Sequence, residues 1–207
     1  MKKYIKDRML RGYDLNFLAV ISVATLVIVL KHYYPLNIDF FRVTELIYYL
    51  LVPLAVGWLL FRDKPSEYGI RIGRWKTSIV LAAACLAAMA MILYGAGKIP
   101  EFRSYYHTSA IDWPMLLLDA ALYMFAWEFI FRGYMLFGLE KSIGKGAIFV
   151  QAIPFVLLHF GKPFLETLFC LPGGFILGYV AYRTRSFLPC FIIHFGIYIG
   201  MIYFANF

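Results

Sequence analysis

Long apolar runs separated by short polar or basic breaks make up most of the chain. Few show the strict alternation of a half-buried strand or the one-sided stripe of a helix on a soluble surface. A helix needs about 20 apolar residues to cross the hydrocarbon of a bilayer. Seven runs approach that length: 15–30, 43–61, 77–96, 114–139, 147–160, 164–182 and 186–207, the fourth long and the fifth short. The expected fold is all-α, a polytopic membrane helical bundle of about seven transmembrane helices, with residues 1–207 forming a single integral membrane domain. The first run follows Lys2, Lys3, Lys6, Arg8 and Arg11 as a signal peptide would. It ends in Lys31, His32 and Tyr33 with no small-residue cleavage site, so an uncleaved first span is expected.

Composition narrows the picture. The chain is 62% hydrophobic and 15% charged, whereas soluble domains carry about 25% charge, so polar surface is too scarce for a water-soluble globule. Twenty Lys and Arg against twelve Asp and Glu give a net charge of +8. The basic residues sit between the apolar runs, so the partner they indicate is membrane lipid and not nucleic acid. Fourteen lie in the N-terminus, in 62–76, at Lys141 and Lys145, and at Arg183 and Arg185; five (Lys31, Arg42, Lys98, Arg103, Lys162) lie in the alternate segments. This bias predicts a multi-pass cell-membrane protein with its N-terminus in the cytoplasm and its C-terminus on the opposite side. The segment 62–76 mixes Tyr68, Ile70, Ile72 and Trp75 with five bases and reads as a strip on the anionic membrane surface. The Tyr-rich segment 98–113 reads as an aromatic anchor before a helix start. Cys85, Cys170 and Cys190 are too scattered for a disulfide framework or a CxxC metal site.

Charges inside the runs are functional candidates, because each costs about 2.5–3.5 kcal/mol to insert at the bilayer centre. Glu128 and Arg132 are four residues apart on one helix face, the acid N-terminal, which favours an ion pair. His159 closes the fifth run and His194 lies in the last. At 1.5 Å per residue Glu128 is roughly 17 Å deep, His159 about 18 Å and His194 about 12 Å, so three helices bring polar groups to one layer. Asp119 points away from that face. Glu166 starts the sixth run after the Gly161 to Pro163 turn and stays within range of His159. Gly174 and Gly178 form a small-xxx-small pair explained by close helix packing. An acid and an imidazole facing one space can deprotonate water, and a second imidazole can stabilise the oxyanion formed on an amide carbonyl. Glu128, His159 and His194 could instead hold zinc, although compact metal-ligand spacing is lacking; no cofactor is expected.

The run from Trp127 to Gly133 resembles the EExxxR motif of the CAAX-protease and bacteriocin-processing family of intramembrane endopeptidases, relatives of the Rce1-type prenyl protease. Phe155 to His159 is similar to its FxxxH motif, and His194 to Tyr198 to its HxxxN motif. The similarity spans 114–198, the expected catalytic core, with 68–73 resembling a weaker upstream feature. It implies peptide hydrolysis in the membrane, with a peptide or lipid-anchored protein as substrate. It further implies an acid and His159 activating water and His194 with its partner supplying oxyanion donors. Two positions depart from the pattern: Trp127 replaces the first acid and Tyr198 the last Asn. The base must then be Glu128 or Glu166, and Tyr198 would offer a hydroxyl donor. A non-catalytic relative that binds a partner as a scaffold or immunity protein is the competing expectation. A proton-coupled transporter is a third, and it would require paired broken helices.

Overall fold

The computed structural model describes residues 13–36 and 42–207; the bases expected at Lys2 to Arg11 lie outside them. Helix α1 (Leu15–Tyr33) begins where the Asp14 carboxylate accepts from the backbone N–H of Asn16 and Phe17, which would otherwise be unpaired at the helix start. Helix α2 (Val43–Phe61) contains two π-helical stretches, Leu46–Leu51 and Gly57–Phe61. Pro53 lies between them and removes an N–H from the helical ladder. Helices α3 (Trp75–Ala96) and α4 (Pro100–Tyr106) follow. Next come α5 (Trp113–Glu128), a π stretch Phe129–Met135 and α6 (Leu136–Ile143). After a short turn the chain forms α7 (Ala147–Val150), α8 (Ala152–Leu157), α9 (Phe164–Thr184) and α10 (Leu188–Asn206). The described residues form no strand, and six helical runs are long and apolar enough to cross a membrane.

The difference from seven lies in Trp113–Leu157, a single 45-residue apolar helical stretch in which the expected fourth and fifth spans run together. It is folded back on itself. Trp127 and His159 are 32 positions apart, about 48 Å along a straight helix, yet their rings are 5.8 Å apart. The reversal falls at Gly144, whose φ of 56° and ψ of −133° suit glycine alone. This stretch is also the centre of the bundle: 44% of its most apolar window is buried, against 11% for α3.

The surface strip expected over 62–76 is only partly one. Its Pro65–Tyr68 turn sends the Tyr68 ring inward to 1% exposure, where it lies 5.2 Å from Tyr134 and its hydroxyl donates to Asp63. Lys141 forms an ion pair with the same Asp63 carboxylate. Gly57 makes room for this ring, since a Cβ there would sit 2.5 Å from the Tyr68 hydroxyl. Ile72 and Trp75 remain exposed, while Arg71 and Arg74 donate to the carbonyls of Arg185 and Arg183 at the C-terminal end of α9. These contacts gather the 62–76, 141–146 and 183–187 segments at one end of the molecule. At the other end Tyr106 donates to Glu166, and Asn206 bonds Thr108 and the Tyr106 carbonyl. The N-terminus of α5 is capped by Asp112, and Trp113 stacks on Phe207 at 6.5 Å.

Candidate active site

The sequence places an acid and an arginine on the last turn of α5 and the π stretch that follows. Gly133 lets that stretch pack tightly: a Cβ there would lie 2.6 Å from the Phe129 ring and 3.0 Å from the Tyr68 carbonyl. Glu128 and Arg132 are both fully buried. Oε1 of Glu128 accepts from Nη1 of Arg132 at 3.0 Å and faces Nδ1 of His194, from α10, at 2.6 Å. One oxygen therefore serves two partners from different helices. The Arg132 guanidinium also lies over the Phe155 ring of α8, 3.9 Å from its centre, so its unbonded face rests on the negative π surface.

His159 follows α8 directly. Its Nδ1 is 2.7 Å from the Phe155 carbonyl, and because a carbonyl only accepts, Nδ1 carries the hydrogen and Nε2 of the neutral ring offers a lone pair. The Thr167 hydroxyl donates to the His159 carbonyl and ties the turn to α9. The rings of His159 and His194 lie nearly parallel, 22° apart in plane and 6.3 Å between centres. His159 is 3% exposed, whereas the His194 side chain keeps 12%.

The four residues expected at one depth, Glu128, Arg132, His159 and His194, thus meet in one cluster. Glu166 is elsewhere: both its oxygens accept from the Tyr106 hydroxyl at 2.8 Å, and Lys162 holds it at 2.7 Å. Burial, then the charge of Glu166, pushes the Tyr106 hydroxyl well above its usual range, so it remains a donor in this contact. Tyr198 packs toward the smaller apolar cluster of Leu93, Phe102, Tyr106 and Met201. Asp119 forms a two-point pair with Arg42 at 2.6 Å, as its outward face predicted. Phe155 is the residue that pattern reading undervalued: it supports Arg132 and both imidazoles. Its four-residue spacing before His159 was the available signal. Among the described residues no three His, Cys, Asp or Glu side chains gather to hold a metal ion. Glu128 and His194 face each other through Oε1 and Nδ1, and Arg132 pairs with the same carboxylate oxygen.

Fold and site together define a multi-pass helical membrane protein with a buried acid, arginine and imidazole cluster. Residues 109–199 match the Rce1-like family model, described as Type II CAAX prenyl endopeptidase Rce1-like. The match contains all three motif segments and every residue of the cluster. A CAAX protease-type function, with peptides or proteins as substrates in a membrane setting, follows at that general level. No curated protein and no solved structure matches the chain.

Proposed function

We propose that this chain is an intramembrane endopeptidase that hydrolyses a peptide bond of a membrane-associated peptide or lipid-anchored protein, with residues 114–198 as its catalytic core. The observation that carries the reading is Glu128: wholly enclosed, it bridges Arg132 and His194 through Oε1 and leaves Oε2 without a partner. Glu128 Oε2 and His159 Nε2 are then the acceptors that hold the two hydrogens of a water molecule. His159 takes one proton, the water oxygen bonds to the amide carbon, and the carbonyl pair moves onto its oxygen. His194, protonated and held by Glu128, donates to that oxyanion. As the pair returns, the C–N bond breaks and the leaving nitrogen takes the proton from His159.

The chemistry uses water without zinc, and the bundle sits in the cell membrane with its basic end toward the cytoplasm. Purified protein is to be assayed on prenylated and unprenylated CAAX-type peptides in detergent. His159→Gln and Glu128→Gln should each lower turnover at least ~10²-fold, while Glu166→Gln keeps most of it and chelation changes nothing. Loss of activity with Glu166→Gln alone assigns the base to α9. One zinc per chain, lost together with activity, replaces water activation with metal chemistry.

A second reading has its own observation. The Trp127 indole packs on His159 where the family motif carries an acid, which suits a relative that binds and shields a partner without cleaving it. Wild-type protein inert on every peptide, with cleavage acquired by Trp127→Glu, decides for this reading.

A further inference from the structure

Three buried N–H donors in this cluster lack a hydrogen-bond partner in the protein: Nε1 of Trp127, and Nε and Nη2 of Arg132. A buried donor left unpaired is a standing cost to a fold, and the > 90% pairing normal for buried polar groups makes three in one cluster exceptional. Trp127 is the residue with which the chain departs from its motif, and its surroundings hold it firmly. The indole is 6% exposed and touches Tyr49, Tyr123, Phe131 and Phe155 at ring separations of 6.0, 5.4, 5.4 and 6.4 Å. It stands edge-on to His159, 80° between planes. An indole cannot accept a proton from water, but its Nε1–H is a permanent neutral donor.

We propose that Trp127 is an oxyanion donor: its Nε1–H bonds the carbonyl oxygen of the scissile peptide as that oxygen gains charge. The proposal rests on the peptidase reading above and changes what the departure at 127 means, from a lost base to a gained donor. Tyr198, expected to supply that donor, packs toward a different apolar cluster. No bond to Trp127 forms or breaks, and the indole keeps its proton throughout. Donors fixed in advance in a dry site stabilise developing charge because nothing must reorganise during the reaction.

Trp127→Phe keeps an aromatic ring for the surrounding stacks while removing the donor and part of the indole's volume. The expected result is a kcat on a prenylated CAAX-type peptide lower by about 10²–10³-fold with KM unchanged, the lost ring volume appearing separately as a lower thermal midpoint. A phosphinate analogue of the same peptide, tetrahedral and anionic like the intermediate, should lose about 10²-fold in affinity, while the parent peptide binds both proteins alike. Should wild type cleave and Trp127→Phe cleave as fast, or bind the phosphinate as tightly, the donor role is wrong and the peptidase reading stands. A Trp127→Glu protein faster than wild type also overturns the donor role. Wild type that neither cleaves nor prefers the phosphinate over the parent peptide sinks both.

Discussion

In the proposed reaction Glu128 would support the chemistry as well as the fold. With Arg132 fully enclosed beside it, removing the carboxylate charge leaves a buried guanidinium without a counter-ion, a loss of about 3–5 kcal/mol when one member of a buried pair is removed. Glu128→Gln should therefore lower the thermal midpoint as well as turnover. The double variant Glu128→Gln with Arg132→Met should recover most of the midpoint and none of the turnover. Melting curves in detergent beside the cleavage assay check this, and recovery of activity in the double variant removes Glu128 from the reaction. The pairing with Arg132 was legible from a spacing of four. The pairing with His194, 66 positions away, was not, because nothing local specifies which face of a uniformly apolar helix meets another.

At the scale of elements, the turn at Gly144 and the glycines of α9 control how the helices approach. A Cβ at Gly178 would stand 2.6 Å from Nε2 of Gln151, and one at Gly174 would stand 3.0 Å from the Ala152 Cβ. Gln151 is fully buried and donates to the carbonyls of Ile148 and Gly174, so the returning arm and α9 are joined by polar bonds as well as contact. Gly173, beside them in sequence, has nothing within 4 Å of such a Cβ. Gly178→Leu should cost about 1–3 kcal/mol through overpacking, and Gly173→Ala should be neutral or stabilise by up to about 1 kcal/mol through helix propensity. Equal melting points for the two variants contradict this packing. The small-xxx-small pair was readable in the sequence as a packing face; its partner was not, since Gln151 had no spacing relation to it. The surface strip illustrates the reverse case: Tyr68 looks like its neighbours in an amphipathic segment, yet Gly57, eleven positions earlier, opens the space that draws it inside.

For the whole molecule, the two ends differ in chemistry. Arg71, Arg74, Lys141 and Arg185 meet at one end, the Tyr106, Lys162 and Glu166 set at the other. With the three native cysteines replaced by alanine, Lys145→Cys should react with a membrane-impermeant maleimide only after cells are opened, and His107→Cys in intact cells. The opposite labelling pattern reverses the proposed orientation. The sequence by itself determined that the chain is a membrane helical bundle, where its spans lie within a few residues, and which four polar residues share a depth. Apolar length, basic breaks and rise per residue are local properties, and they suffice for that. Only the tertiary structure decided that the fourth and fifth runs form one stretch folded at Gly144, that Glu128 divides Oε1 between Arg132 and His194, and that Trp127 packs against His159. Those outcomes depend on helix rotation and on which glycines admit a neighbour. In a chain apolar on nearly every face, contacts between helices far apart in sequence set both.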